Sequence, residues 1–177
     1  MTAPELSQRR RLDTIGAQPV AIALSANADE RAALAKRFGL LSLNALEAEL
    51  SMMREGDIVT LTGHVRARAV QPCVATGEPV PTMIDEPLML RFVPEAMLAA
   101  HDEVELGAGD TDVVGHDGNA IDVGEAVAET LALALDPFPR SPGAAAALKS
   151  AGVIGEDEVE NGAFAGLAAL RDQLRKG

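Results

Sequence analysis

Two neighbouring stretches of the sequence alternate apolar and polar residues with a period of two, the pattern of β-strands that bury one face. In the first stretch, 43–53, the apolar residues occupy the even positions from 46 onward. In the second, 58–70, one row holds Leu61, Val65, Ala67 and Ala69, and the other holds Thr60, Thr62, His64, Arg66 and Arg68. The intervening Glu55-Gly56-Asp57 is typical of a turn. The pattern therefore predicts an antiparallel hairpin with one covered face.

Matching the apolar rows predicts the register of this hairpin. We expect Met53 to pair with Ile58, since a shift by one residue would mix the two faces. The expected cross-strand pairs are Leu46–Val65, Leu50–Leu61 and Glu47–His64. A third strand over 88–93, with Leu88, Leu90 and Phe92 inward, would extend the hairpin into a meander.

Helices are indicated on either side of this sheet. Asn27 with Glu30 forms a capping-box pattern before a helix that ends at Gly39. Asp122 with Glu125 forms a second one before an apolar stripe at i+4 spacing over 123–135. We therefore predict the α+β class: an antiparallel β-sheet meander packed by two or three helices, with an acidic loop and a C-terminal helical tail over 162–176.

The expected organisation has three parts. Residues 1–19 would form a flexible basic arm, residues 20–140 the α+β domain, and residues 141–177 a Pro/Ala-rich connector with the C-terminal helix. The N-terminal residues lack the apolar stretch of a secretion signal, and no run approaches the length needed to cross a bilayer. We expect a cytoplasmic protein with no membrane partner.

Composition limits the functions that such a chain can perform. Among its 177 residues are four Phe and no Trp or Tyr, so a platform that stacks successive nucleobases is not available. The net charge of −12 argues against a surface coated with phosphate-neutralising side chains. Residues 1–94 carry a net charge of −1 and residues 95–177 one of −11. Most of this acidity falls in 95–177, where 101–125 has eight acids and no Lys or Arg, which predicts an acidic surface loop.

A row of basic side chains on the polar strand face is the candidate binding site. It consists of His64, Arg66, Arg68 and Arg91. One interpretation is ordinary cross-strand ion pairing with Glu47 and Glu49, which is common and weak on exposed strands. The other is a basic strip that binds a phosphate backbone or an acidic partner. The N-terminal arm would extend the strip with Arg9, Arg10 and Arg11.

The single cysteine, Cys73, excludes an internal disulfide and a cysteine-based zinc cage within the chain. A nucleophilic cysteine needs a nearby base, and the histidines at 64, 101 and 116 form no catalytic signature with Cys73. We expect Cys73 to be a small buried side chain. We predict no catalytic residue, metal ligand or cofactor, with a small cysteine-dependent enzyme as the less favoured alternative.

Three stretches of the sequence carry a family resemblance. They are CVATGEPV (73–80) with EPLMLRF (86–92), IDVGEAVAETLALALDPFPR (121–140) and NGAFAGLAAL (161–170). In this order they resemble the YceD family, the large ribosomal RNA subunit accumulation proteins, over about residues 20–172. The second stretch is the most specific of the three.

The resemblance implies a role in the accumulation, processing or assembly of large-subunit ribosomal RNA, with no established catalytic activity. Many members have Cys-x-x-Cys and later cysteines, which suggests a metal knuckle, where this chain has Cys73-x-x-Thr76. No zinc is therefore carried over, and we expect hydrogen bonds and prolines to hold the loop.

Two modes of action would serve this role. The strip and the arm could contact a few phosphates of ribosomal RNA, or the acidic half could bind a basic ribosomal protein or assembly factor by complementary charge. The net charge favours the second mode. The alternative from another class is an acidic protein-interaction domain unrelated to ribosomes. No small-molecule substrate is indicated.

Overall fold

The alternating stretches form three long consecutive strands in the structure, a computed structural model that describes residues 5–98 and 112–153. A short 3-10 turn, Leu12–Thr14, follows the first strand. The strands are β1 (Arg9–Arg11), β2 (Val20–Ser25), β3 (Ser42–Glu55), β4 (Ile58–Pro72), β5 (Pro79–Pro94), β6 (Asp112–His116) and β7 (Ala120–Asp122). The helices are α1 (Ala28–Arg37), α2 (Glu95–Leu98), α3 (Val123–Ala134) and α4 (Ala144–Ser150).

The main sheet has five strands in the order β2-β3-β4-β5-β6. Strands β2 to β5 are antiparallel neighbours, so the predicted meander and the α+β class are confirmed. Strand β6 was not predicted, and it pairs in parallel with the last residues of β5, Leu90–Pro94. Strands β1 and β7 form a separate two-stranded antiparallel sheet.

The hairpin between β3 and β4 has a different register from the predicted one. Glu55 pairs with Ile58, so the predicted pairing of Met53 with Ile58 is wrong by two residues. The turn is the cause, because only Gly56 and Asp57 connect the strands and Gly56 takes a φ of +61°, as in a type II′ turn. An even shift keeps both faces as predicted. The observed pairs are Leu46–Ala67, Leu50–Gly63 and Glu47–Arg66.

One face of the sheet is covered by α1, α3 and the N-terminal segment. Its central side chains, Leu61 and Val65 of β4, are fully buried, as are Leu34 of α1 and Val127 and Leu131 of α3. These residues belong to one continuous apolar cluster. Burial of a side chain of this size contributes about 1.5–3 kcal/mol. Because the largest fully buried side chains lie in this cluster, the covered face supplies most of the apolar stabilisation of the fold.

Helix α1 begins and ends where the sequence predicts. The side chain of Asn27 accepts hydrogen bonds from the backbone N–H groups of Asp29 (2.9 Å) and Glu30 (3.0 Å). The carboxylate of Glu30 accepts one from the backbone N–H of Asn27 (2.7 Å), which completes the capping box. Gly39, with a φ of +66°, follows the helix end.

Helix α3 is capped by Asp122, but the second half of the predicted capping box is absent. The Asp122 carboxylate accepts from the N–H groups of Gly124 (3.0 Å) and Glu125 (3.3 Å). The Glu125 side chain instead accepts two hydrogen bonds from the guanidinium of Arg37 on α1 (2.6 and 3.0 Å). Glu125 therefore ties the two covering helices together.

Residues 5–19, which belong to the predicted flexible arm, pack against the rest of the structure. Leu6, Leu12 and Ile15 are buried in the core, and β1 pairs with β7. The Asp122 carboxylate also accepts from the Gln8 N–H (2.8 Å). The close approach requires a glycine in α3, since a Cβ on Gly124 would lie 2.8 Å from the backbone nitrogen of Gln8. Buried apolar side chains therefore hold this segment against the core, although its three consecutive arginines favoured the prediction of a mobile arm.

The predicted acidic loop is only partly a loop. Residues 112–116 and 120–122 form β6 and β7, and residues 99–111 lie outside the described residues. The connector contains α4, because four consecutive alanines favour a helix after Pro142-Gly143. The predicted tail helix over 162–176 also lies outside the described residues, and the three-part division stays a prediction. In the described part of the chain, no helix is long and apolar enough to span a membrane.

Candidate binding surface

The second face of the main sheet carries the predicted basic strip. Along β4, His64, Arg66 and Arg68 all point away from the core and are exposed, as the alternation predicts. Their partners on β5 are Pro87, Asp85 and Met83, respectively. Met83 is 85% exposed, so no described residue covers this part of the face. We call this surface the open face.

The open face is a network of mixed charge. Arg66 donates to Glu49 of β3 (3.0 Å) and to Asp85 of β5 (3.3 Å), and His64 Nδ1 lies 3.2 Å from the Asp85 carboxylate. The hydrogen bond with His64, with a further contribution from Arg66, lowers the pKa of Asp85, and the hydrogen bond with Glu49 raises the pKa of Arg66. The interpretation of the strip as cross-strand ion pairing therefore holds for His64 and Arg66 at its centre.

Sequence reasoning missed Asp85, the residue that joins His64 to Arg66. It also placed Glu47 opposite His64, whereas Glu49 occupies that position and Glu47 lies opposite Arg66. Extending the alternation of the third strand towards its N-terminus would have placed Asp85 on the open face, because β5 begins at Pro79 instead of Leu88.

The other two arginines of the strip have no partner among the described residues. Arg68 is exposed between its strand neighbours Ala45 and Met83, and its side chain forms no hydrogen bond or ion pair with a described residue. Arg91 is exposed on the same face, but it pairs with Thr60, four residues along β4 from His64. That spacing corresponds to about 13 Å at 3.3 Å per residue. The structure thus groups His64, Arg66 and Arg68, with Arg91 at a distance.

The N-terminal arginines do not extend the strip. Strand β1 packs with β7 and α3, on the covered side of the main sheet. Arg11 is held by Asp13 through two hydrogen bonds (3.0 and 2.6 Å), and the Nε atom of Arg10 is buried without a partner among the described residues. The structure therefore places Arg9, Arg10 and Arg11 apart from the strip that they were predicted to extend.

The loop after β4 is held by hydrogen bonds, as expected. Cys73 N–H donates to the Glu78 carbonyl (2.8 Å), and the Cys73 carbonyl accepts from Gly77 N–H (2.8 Å). The Glu78 carboxylate accepts from the hydroxyls of Ser141 (2.6 Å) and Thr76 (3.1 Å). These contacts join the loop to the segment that follows α3.

Cys73 is 3% exposed, so its predicted burial is confirmed. Burial by itself would raise the pKa of the thiol, but hydrogen bonds from the Ser141 backbone and the Thr76 hydroxyl outweigh it and lower the pKa from 9.0 to about 6. His64 and His116 contact other groups: His64 pairs with Asp85, and His116 bonds the Asp57 carbonyl (2.9 Å). Cys73 therefore has neither of these imidazoles as a base.

The same loop does not fit zinc. It offers one thiol, and the hydroxyls of Thr76 and Ser141 are committed to each other and to the Glu78 carboxylate. Structural zinc sites use four thiolate or imidazole ligands, which this donor set does not supply. No group of three metal-binding side chains occurs within residues 5–98 and 112–153.

Comparison with known families assigns the chain. A sequence model of the family described as "Large ribosomal RNA subunit accumulation protein YceD" matches residues 61–171, more than half of the chain. The chain belongs to the YceD family. The match contains the β4 strip, the Cys73 loop, α3 and most of the C-terminal tail, and it begins after β3.

The family description connects members with the accumulation of large-subunit ribosomal RNA, and it names no enzymatic activity. Comparisons with curated proteins and with solved structures gave no match.

Proposed function

We propose that this chain is a non-enzymatic factor in ribosome biogenesis that promotes the accumulation or processing of large-subunit ribosomal RNA by binding a basic ribosomal protein or assembly factor. The observation that carries the proposal is the YceD-family match over residues 61–171. The charge arrangement selects the kind of partner. The proposed site of action is the cytoplasm.

The open face supports a protein partner better than RNA. Its central arginine, Arg66, is already neutralised by Glu49 and Asp85. RNA affinity depends on cations that are free to replace the counterions of the phosphates. Only Arg68 and Arg91 meet that requirement among the four residues of the strip, and they lie at different levels of the sheet.

The C-terminal half of the chain has an excess of acidic side chains. Residues 95–177 have 16 acidic and 5 basic side chains, and in its described part Asp112 and Glu129 are exposed and have no ion-pair partner. An unpaired acidic surface attracts and orients a basic protein over distances of about 8–10 Å at physiological salt. This favours a cationic protein as the partner.

The decisive experiment for the biological role measures mature large-subunit ribosomal RNA in cells from which the gene is deleted. We expect a reduced ratio of large- to small-subunit RNA, restored by the wild-type gene and equally by Cys73→Ser. An unchanged ratio would identify the chain as an interaction domain unrelated to ribosomes. Loss of rescue by a folded Cys73→Ser protein would support the cysteine-dependent enzyme.

A binding assay across salt concentrations separates the two classes of partner. Purified chain is titrated with large-subunit ribosomal RNA fragments and with basic ribosomal proteins. We expect protein binding that weakens with salt, and RNA binding that is weaker and insensitive to Arg66→Glu/Arg68→Glu. If the chain binds RNA more tightly than protein, and that binding is lost in the variant, the basic strip would instead act by binding ribosomal RNA directly.

A further inference from the structure

A groove runs between helix α3 and the edge of the main sheet. Its floor is apolar, formed by Leu88 and Leu90 of β5, Val114 of β6 and Ala126 of α3, and its volume is about 380 Å³. A smaller hollow of about 160 Å³ continues it towards the N-terminus of α3 and shares Leu90, Val114 and Ala126. We call the two hollows together the α3–β5 groove.

The groove exists because α3 buries one stripe of side chains and leaves the next one uncovered. Leu131 is fully buried, whereas Leu133, two residues later, is 85% exposed at the groove wall. On β5, Glu86 occupies the row of Ile84 and Leu88, which face the core, yet it is exposed. A carboxylate in that row therefore faces the groove, where an apolar residue would be expected in a covered sheet.

Three carboxylates line the larger hollow: Glu86, Asp112 and Glu129. None of these carboxylates forms a hydrogen bond or an ion pair with another described residue, whereas Asp122 and Glu125 in the smaller hollow bond to the N-terminus of α3 and to Arg37, respectively. Among the described residues, no Lys or Arg lines either hollow. Asp112 lies beside Leu90, four residues along β5 from Glu86, so these two acids are spaced by about 13 Å along the groove.

This combination selects one kind of occupant. Phosphate-rich ligands are repelled by the three acids, and a metal ion requires its oxygen ligands within about 2.6 Å of one point, which acids spaced along a groove do not provide. An apolar floor with separated anionic groups at its sides matches a peptide that alternates aliphatic and cationic side chains.

We propose that the α3–β5 groove binds a basic segment of a partner protein, with its aliphatic side chains on the apolar floor and its Lys or Arg side chains against Glu86, Asp112 and Glu129. This inference rests on the proposed function, because it gives the basic partner a site.

The probe is a fluorescein-labelled synthetic peptide of about 15 residues that alternates Lys with Leu and Ala, titrated with the full chain at about 150 mM salt. Glu86→Lys/Glu129→Lys should weaken binding about tenfold or more. The matched control is Glu47→Lys/Glu55→Lys, which changes the net charge by the same amount at two exposed strand glutamates of the open face that have no ion pair with a described residue. It should change the affinity less than about twofold, because the introduced charge lies across the sheet from the groove.

Further variants test the floor and the competing occupants. Leu133→Ser should weaken the peptide several-fold without unfolding the chain, since Leu133 is exposed. Equal weakening by Glu47→Lys/Glu55→Lys and by Glu86→Lys/Glu129→Lys would show that only the overall charge matters and would overturn the site, as would absence of binding to the wild type. Tighter peptide binding by Arg171→Glu/Arg175→Glu/Lys176→Glu would show that the chain's own C-terminus occupies the groove, which also overturns it.

The peptide-binding result can be distinguished from the result of the gene-deletion experiment. If gene deletion lowers large-subunit ribosomal RNA while the wild-type chain fails to bind the peptide, the biological role stands and the groove site is wrong. If the peptide binds as expected while ribosomal RNA is unchanged by deletion, the groove stands and the ribosomal role is wrong. Circular dichroism and urea unfolding of each variant exclude loss of fold as the cause of lost binding.

Discussion

The two faces of the main sheet differ in what their side chains contact. On the covered face, Leu61 and Val65 are fully buried against α1 and α3. On the open face, Arg66 and its neighbours contact each other and solvent. Residues one position apart on the same strand therefore have separate roles: one row supplies the free energy of folding, and the other is free to change without cost to the core.

The α3–β5 groove is where this separation fails. Glu86 lies in the covered row, but the helix above it leaves it exposed beside an apolar floor. A polar residue in an apolar row costs the core an apolar contact, and its carboxylate is available to a ligand. The comparison of the faces therefore shows that polar side chains are left uncovered on both sides of the sheet, and the proposed groove lies where the covering layer ends.

The largest effect is expected at Gly63, on the covered face of β4. A Cβ on Gly63 would overlap the backbone of Glu49 and Leu50, and Gly63 has a φ of +154°. Gly63→Val should reduce the free energy of unfolding by about 4 kcal/mol or more, from backbone strain and overlap together. Urea denaturation measures it. Thr62→Val, directed to the open face, is the control, and similar losses in both would contradict the division of the faces.

The next effect compares two leucines of α3. Leu131→Ala should cost about 2–5 kcal/mol, because it leaves a cavity in the core, whereas Leu133→Ala should change stability by no more than about 0.5 kcal/mol. The two substitutions remove the same atoms from the same helix, so the difference in their urea midpoints reports burial alone. A costly Leu133→Ala would mean that another part of the chain covers the groove.

A smaller effect is expected at the junction of α3 with the N-terminal segment. Gly124→Ala should lower stability by about 1–2 kcal/mol, since the added methyl meets the backbone of Leu6 and Gln8, partly offset by the helix propensity of alanine. Glu129→Ala, exposed on the same helix, is the control. The backbone amides of residues 5–15 should exchange hydrogen faster in Gly124→Ala than in the wild type. Unchanged exchange would indicate that the N-terminal segment behaves independently of α3.

These comparisons also explain what the sequence could predict. Strands, helix caps and the assignment of faces follow from local periodicity and short-range side-chain patterns, as with Asn27 and Glu30. The register of the β3–β4 hairpin depended on whether the turn has two residues or four, and the alternation cannot decide this because an even shift preserves both faces.

The rest depended on contacts between distant parts of the chain. Arg9–Arg11 form a strand only because β7 lies beside them, and Leu6 and Leu12 reach a core built from later segments. The basic strip was predicted from its own strand, but Asp85 neutralises it from the next one. The α3–β5 groove depends on where α3 stops covering the sheet, which no local pattern specifies.

Cys73 directly follows β4 and is buried, and the titration of its thiol gives a pH-dependent test. Because folding lowers the thiol pKa from 9.0 to about 6, the unfolded chain binds more protons over this interval and stability should rise with pH. The contribution is complete above about pH 9 and is lost as the pH falls through about 6. Cys73→Ser should flatten this rise in urea midpoints measured between pH 6 and 9. Parallel profiles for the two proteins would contradict the lowered pKa.

The smallest effect is expected at the centre of the open face. Arg66→Ala removes both of its ion pairs, yet Arg66 and its two partners are each half or more exposed to solvent, where water and salt already screen such pairs. We expect a urea midpoint at pH 7 within the reproducibility of the measurement, and less change still at high salt. A loss approaching that of Leu131→Ala would show that the charged network holds the strands together, and the open face would then be a structural surface.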